Sequence, residues 1–482
     1  MKLVRSVALP LSVLSSLALV GLSSAQFPVE ASTGSVNQIT VPEPPISSLD
    51  PDQNAPGILL DDGTILEGLF GYNSKNQVVP KIASSYKVSN GGTVWTFYLR
   101  KNARWSNGKP VTAQDFYYAW MRMINPKNTT SQVWQSFLTY VKGEASYYAG
   151  QSSASQVGLK VLNPYALQVT LTAPHNILGE MCIAGSMPLY PPVVKAHPGN
   201  WYLPQYFVGD GPYKVQSFTV NGNITLVKNP YYVPAPNDKI GNVQQINIVP
   251  TPTVPVEDFL AKKLDLAMIT NPSDLTYIES HPTLKAQLVK QPANIVFLLR
   301  YDKSVDASPL DNQMVRRAIA MAINRAPLAN SVLHGMGAAA TSFGPPTWPP
   351  TKLEHALPYN VSEARQLLAK AGYPGGKGFP TLNIYTATQQ SDPVQVPVAE
   401  AIAQELKQEL GINFKIDPLA QAVDGDVVYN GLTQGIKPGY VIAGANAGWM
   451  DAGYLPMQAD NIADRDGIIG PVSYRLAGRG SL

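Results

Sequence analysis

Apolar positions in this chain alternate over short stretches and recur at helical spacing over longer ones, and the two patterns take turns along the sequence. Residues 93–100 (Thr-Val-Trp-Thr-Phe-Tyr-Leu-Arg) predict a strand with Trp95, Phe97 and Leu99 on one face. Asn107-Gly108-Lys109-Pro110 carries turn chemistry. Thr112 is then placed to cap a helix that starts at Ala113, shows Phe116, Tyr117, Trp120 and Met121 at helical spacing, and stops at Asn125-Pro126. Strands are expected again at 167–171, 223–227, 246–249 and 295–299. A helix over 313–324 puts Val315, Ile319, Ala322 and Ile323 on a core face. A second runs over 362–371, capped by Ser362 and stopped by Gly372. A third, over 397–410, aligns Ile402, Leu406 and Leu410 before Gly411, and a strand at 413–416 follows at once. Residues 26–57, rich in Pro, Ser and Asn, read as extended strands and loops. Short strands alternating with helices describe an α/β chain.

Composition narrows this picture. The chain has 482 residues, enough for two or three packed lobes, and 45% hydrophobic against 14% charged residues, an ordinary interior with a weakly charged exterior. A net charge of +3 supplies no footprint for nucleic acid. The first 25 residues have the form of an export signal: Lys2 and Arg5, an apolar run from Val7 to Leu22, then Ser23-Ser24-Ala25 before Gln26. No Cys follows that run to accept a lipid, and no later segment is long and apolar enough to span a bilayer. The mature chain is therefore expected in the periplasm or outside the cell. The lone Cys182 has no second Cys or nearby His and is expected to be a buried thiol.

Enzyme chemistry finds little support. Five histidines (175, 197, 281, 334, 355) form no metal spacing, and neither a Gly-x-Ser-x-Gly elbow nor a phosphate-cradling Gly-Lys-Ser/Thr loop occurs. No cofactor is expected.

The stretch 94–122, VWTFYLRKNARWSNGKPVTAQDFYYAWMR, resembles the most recognisable segment of the bacterial oligopeptide-binding proteins, extracellular solute-binding proteins of family 5 that serve peptide and nickel ABC importers. Other blocks follow in the family's order: Ser48-Leu49-Asp50-Pro51, Glu67-Gly68-Leu69, Gly209-Asp210-Gly211-Pro212-Tyr213, the helix from Val315 to Arg325, Glu363-Ala364-Arg365 to Tyr373, and Leu410-Gly411-Ile412. The resemblance covers about residues 45 to 456. It implies a periplasmic-binding-protein-like class II fold with three lobes around a hinge. Residues 26–66 and 191–293 would form lobe I, the insertion 67–190 lobe II, and 294–482 lobe III. It also implies a non-catalytic monomer that passes short peptides to a membrane permease.

A peptide offers an amine, a carboxylate and strand-like backbone groups, so a sequence-tolerant binder must pair all three. In the family the amine meets an Asp three residues after the Trp of a Gly-Trp motif. Here the motif is Gly448-Trp449-Met450-Asp451-Ala452, with Ala452 at the expected place and Asp451 one residue early. A one-residue slip on a strand reverses the side chain, so Asp451 is an amine ligand only if the backbone is locally altered; otherwise it is an exposed or capping Asp. Gly448 and Met450 match positions whose backbone meets the peptide, and Trp449 is the motif's aromatic. Asn446 and Lys437 match positions where relatives carry carboxylate-binding basic residues; the other reading of Lys437, and the commoner one for such a residue, is a solvated lysine. Trp134 replaces an aromatic that closes over ligand, with core packing as its other reading. Asn54, Ala55 and Gly57 are expected to line the lobe I side through backbone groups. The displaced Asp and aromatic platforms such as Trp134 and Trp449 leave an oligosaccharide or other non-peptide ligand open, and a surface scaffold without a small ligand is a third class. Only 26 residues follow Pro456, and they do not resemble the family's continuation. Lobe III is therefore expected to be truncated, ending in an irregular tail that leaves sheet edges uncovered.

Overall fold

The computed structural model describes residues 37–52, 63–73, 77–128, 137–236, 238, 240–269, 271–291, 295–301, 308–339, 357–388, 394–419, 439–446, 466–471 and 473–477. The expected export signal lies outside the described residues. The described residues begin with strand β1 (Gln38–Glu43) and the short antiparallel pair of β2 (Phe70–Tyr72) and β3 (Val78–Pro80). Strands β4 (Ala83–Ser89) and β5 (Val94–Leu99) pair antiparallel. The predicted strand is thus present, with Trp95, Phe97 and Leu99 all buried.

Helix α1 (Ala113–Met123) starts where the sequence places it. Asp115 Oδ2 accepts from the Thr112 backbone N–H at 2.8 Å, a capping box that closes the first turn. Its inward face carries Phe116, Ala119, Trp120 and Met123, whereas Tyr117 and Met121 are only half-buried at its edge. The Trp120 ring meets Phe137 edge-on at 4.8 Å and donates through Nε1 to the Ser186 carbonyl at 3.0 Å. Strands β6 (Leu159–Asn163) and β7 (Ala166–Thr170) complete a sheet of order β4-β5-β7-β6.

Strands β8 (Tyr213–Phe218), β9 (Ile224–Lys228) and β10 (Gln245–Pro250) form an antiparallel run, and β10 pairs in parallel with β1. This second sheet joins the chain's start to residues about two hundred positions later. Strand β11 (Leu266–Ile269) and helix α2 (Pro272–Ser280) lead to β12 (Leu288–Gln291) and then β13 (Ile295–Tyr301).

Helix α3 (Gln313–Ala322) is capped by Asn312, whose side chain accepts from the Met314 N–H. It is shorter than predicted, because Ile323 is already extended. After β14 (Gly337–Ala339) comes helix α4 (Val361–Lys370). Its cap is Asn360, accepting from the Glu363 N–H at 3.1 Å, and not Ser362, which falls inside the first turn. Strand β15 (Leu382–Ala387), helix α5 (Gln395–Leu410) and β16 (Phe414–Leu419) follow; Gly411 ends α5 in the left-handed conformation (φ 71°). Strands β17 (Gly439–Asn446), β18 (Asp466–Pro471) and β19 (Ser473–Ala477) are last.

The expected irregular tail is corrected here. Strand β18 pairs with both β13 and β14 inside a sheet of order β14-β18-β13-β17-β15-β16, and β19 sits between β11 and β12. The edges expected to be bare are covered by β18 (Asp466–Pro471) and β19 (Ser473–Ala477). The physical reason is that β11, β12 and β13 offer unpaired backbone groups, and Ser-Tyr-Arg-Leu-Ala has the alternation of a strand that satisfies them.

Buried apolar side chains gather into two cores among the described residues. One draws on residues from Ile39 to Ile248 and holds the side chains of α1 and the first two larger sheets. The other runs from Val256 to Tyr440 and holds α3, α4 and α5 against β15.

Candidate functional site

Nine of the ten candidate ligand residues lie outside the described residues: Asn54, Ala55, Gly57, Trp134, Lys437, Gly448, Trp449, Met450 and Asp451. Asn446 is the last residue of β17, paired with Ile295 at the start of β13. The described residues hold two buried charge clusters and a pair of strand pairings that link adjacent sheets, none of them anticipated as such from the sequence.

The first cluster is built on Arg122, in the last turn of α1, where a cation also suits the helix dipole. Its guanidinium donates to Asp50 Oδ1 at 3.0 Å and Oδ2 at 2.5 Å, and also to Asp52 Oδ2. Asn128 Nδ2 donates to Asp52 Oδ2 at 3.0 Å and to the Arg122 carbonyl at 3.2 Å. The turn of Ser48 to Asp52 is self-supporting: Asp50 N–H donates to Ser48 Oγ, and Asp52 N–H to Asp50 Oδ1. The Arg122 guanidinium lies over the Trp201 ring, 5.8 Å from its centroid. The acids are almost wholly buried, with side-chain exposures of 1% and 2% against 18% for Arg122. Burial, and then the neighbouring Asp50 charge, push the Asp52 carboxyl up to about 7 against the pull of Arg122 and Asn128.

The second cluster surrounds Glu67. Its Oε1 accepts from the Tyr232 hydroxyl at 2.6 Å, and its Oε2 faces Arg100 Nη2 at 3.3 Å. Arg100 also donates to the carbonyls of Lys81, Val233 and Pro234, and Lys81 pairs with Asp238 at 2.8 Å. Burial pushes the Glu67 carboxyl up to about 7 in spite of these cations. Asp210 Oδ1 accepts from the Glu67 N–H at 2.9 Å, and burial raises Asp210 well above the usual carboxylate range. Gly209 and Gly211 flank it because the 64–65 backbone runs too close for a side chain. A Cβ at Gly209 would stand 2.1 Å from the Ile65 carbonyl oxygen, and one at Gly211 2.6 Å from that of Thr64. The conspicuous Gly-Asp-Gly-Pro-Tyr block is thus a packing device, as is the Glu67-Gly68-Leu69 block it meets.

The connection is formed by β12–β13 and β18–β19. Gln291 pairs with Ser473 in one sheet, and Phe297 with Ile469 in the next. Each of the two sheets therefore takes one strand from β12–β13 and one from β18–β19.

Cys182 is buried, its Sγ donating to the Leu178 carbonyl, and burial raises its thiol far above the ordinary range, so it carries no thiolate chemistry. Among the described residues no three His, Cys, Asp or Glu side chains gather as metal ligands, and no helix is long and apolar enough to cross a membrane.

Comparison with known proteins agrees with this architecture. The chain is 28% identical over 360 residues to the oligopeptide-binding protein OppA of Bacillus subtilis, covering 73% of this chain and 65% of that protein. It is 30% identical over 364 residues to the dipeptide-binding protein DppE of the same organism, covering 73% and 64%. The matched part thus spans just under two thirds of these relatives. The solved structure of Haemophilus influenzae OppA in complex with the peptide RPPGFSPFR superposes with a TM-score of 0.72 at 21% identity, over 92% of this chain and 95% of that one. The fold is therefore that of the class II periplasmic peptide-binding proteins. Residues 77–461 match the family described as bacterial extracellular solute-binding proteins, family 5 Middle, and with four fifths of its length inside that match the chain belongs to the family 5 extracellular solute-binding proteins.

Proposed function

We propose that this protein captures short peptides outside the cytoplasmic membrane and delivers them, as a monomer and without chemistry, to the permease of an ABC importer. The observation that carries the reading is the family match over 77–461, together with relatives named for oligopeptide and dipeptide binding. Residues 1–25 are the export signal. Residues 26–66 and 191–293 make lobe I, 67–190 the inserted lobe II and 294–482 lobe III. The pairing of β12 with β19 in one sheet and of β13 with β18 in another suits a hinge, since the chain passes twice between these two sheets in sequence. The peptide backbone is held by Asn54, Ala55, Gly57, Gly448 and Met450. Asp451 takes the amine, Asn446 and Lys437 the carboxylate, and Trp134 and Trp449 the side-chain faces.

The sequence keeps one alternative alive: Ala452 stands where the family's amine-binding Asp belongs, which favours a non-peptide solute such as an oligosaccharide. Native mass spectrometry of freshly purified protein separates the two readings. Bound masses that resolve into amino-acid residues support peptide capture, and bound hexose series support the alternative.

A further inference from the structure

We propose that a pocket along the free edge of β8 is a second ligand site, one that takes N-acylated apolar amino acids as their carboxylates. Strand β8 is the last strand of the sheet β1-β10-β9-β8, so among the described residues its outer side pairs with no strand. A pocket of about 370 Å³ opens there, between β8, the turn at Ser106 and Asn107, and residues 204–208. That is the low end of the roughly 300 to 1,000 Å³ usual for small-ligand sites. Lys214, Val215 and Gln216 line it from the strand. Successive strand side chains point to opposite faces, so a pocket lined by all three runs along the strand's edge and faces its backbone groups as well. It shares no residue with the ten positions proposed for peptide capture, and it stands independently of that reading.

Local bonds hold the walls in place. Ser106 N–H donates to the Gly209 carbonyl at 2.7 Å, and Lys109 N–H donates to Asn107 Oδ1 at 3.0 Å, which closes the turn. Phe207 is buried and stacks against Trp201 with ring centroids 6.0 Å apart; with Pro204 and Val227 it supplies an apolar wall. The polar lining is Lys214, Gln216, Asn107 and Ser106, one cation with three neutral groups and no acid. Among the described residues no carboxylate pairs with the Lys214 ammonium. The register of β8 against β9 slips between Val215 and Ser217, so Gln216 is the extra residue of a bulge. Bulges re-aim side chains beside binding sites. A lysine and a bulge also keep an edge strand from pairing with another chain, but that role calls for no pocket, apolar wall or further amide beside the lysine. The lining complements three groups at once: a carboxylate for Lys214, a secondary amide for the side-chain amides and the strand edge, and an apolar side chain for Phe207 and its neighbours.

The test titrates the full chain with N-acetylphenylalanine by calorimetry and follows amide hydrogen exchange with and without it. The wild type binds the acid, and its carboxamide binds at least about tenfold more weakly, because the charge-assisted contact is gone. Lys214→Glu loses affinity for the acid by at least about tenfold for the same reason, whereas Lys214→Arg keeps the charge and stays within about threefold of wild type. Lys214 is exposed, so both variants unfold in urea at the wild-type midpoint. Bound N-acetylphenylalanine slows exchange in 204–208 and 213–218. These readouts lie at Lys214 and at these two stretches, so they hold whether or not the chain also captures peptides. No binding of N-acetylphenylalanine by the wild type, equal binding of acid and carboxamide, unchanged affinity in Lys214→Glu, or protection that appears only elsewhere in the chain overturns the proposal.

Discussion

Replacing Glu67 by Gln tests the electrostatic account of the first core, because the burial of this carboxyl sets the sign of the effect and its order of magnitude. Glu67 is buried against Tyr232 and Arg100, and burial moves its carboxyl from 4.5 to about 7. A folded-state value above the unfolded one means that the native state binds the proton more tightly. The stabilisation is therefore complete below pH 4.5 and is lost as pH rises through 7. At 1.36 kcal/mol per unit, the full span amounts to about 3 kcal/mol, of which about 2.5 kcal/mol falls between pH 5 and pH 8. Gln keeps the shape and an acceptor for Tyr232 but cannot titrate, so Glu67→Gln gains about that much relative to wild type over this interval. Urea unfolding at several pH values, followed by tryptophan fluorescence, reads this core directly, since Trp95, Trp105, Trp120 and Trp201 are all buried in it. Parallel stability profiles for the two proteins would refute the reasoning, and so would a wild type that gains on the variant as pH rises.

Two further outcomes follow from single sites. Asp451→Ala weakens peptide affinity by about 3 to 5 kcal/mol if Asp451 holds the amine in a dry cleft, and N-acetylated peptides bind the wild type equally poorly; calorimetric titration checks both. Gly211→Ala, whose Cβ would stand 2.6 Å from the Thr64 carbonyl oxygen, destabilises the first core by about 1 to 3 kcal/mol, measured by thermal or urea unfolding.

Local chemistry was legible in the sequence where it acts locally. Alternation in Val94–Leu99, the Thr112 start of the helix from Ala113 and the Gly411 stop each involve residues within a few positions of one another, and each is found where the sequence places it, with Asp115 as the capping partner the structure adds. Helix ends were less legible. Asn360 and Ser362 are both capping residues, and only the backbone turn at Asn360 decides between them. Nonlocal pairing was not legible. The last strands contain Gly467, Gly470 and Pro471, poor strand formers by propensity, and they are strands because β11, β12 and β13 supply partners some 170 to 210 residues away. The same holds for the charge clusters. Asp50, Glu67, Arg122 and Asp210 stand out as members of family-like blocks, but their nonlocal partners lie 33 to 165 positions off, and no spacing in the sequence points to them. Of the candidate ligand residues, Asn446 alone falls among the described residues, so the site itself stays a reading of sequence and resemblance.

The central claim is the proposal that this protein binds short peptides. Its most direct test is the melting temperature of the purified chain with a di- to pentapeptide mixture, with oligosaccharides and with neither. Ligand that binds only the folded state adds about 2.7 kcal/mol at one hundred times its dissociation constant, a rise of several degrees. Peptides are predicted to give that rise and oligosaccharides none; stabilisation by oligosaccharides with no response to any peptide would contradict the account.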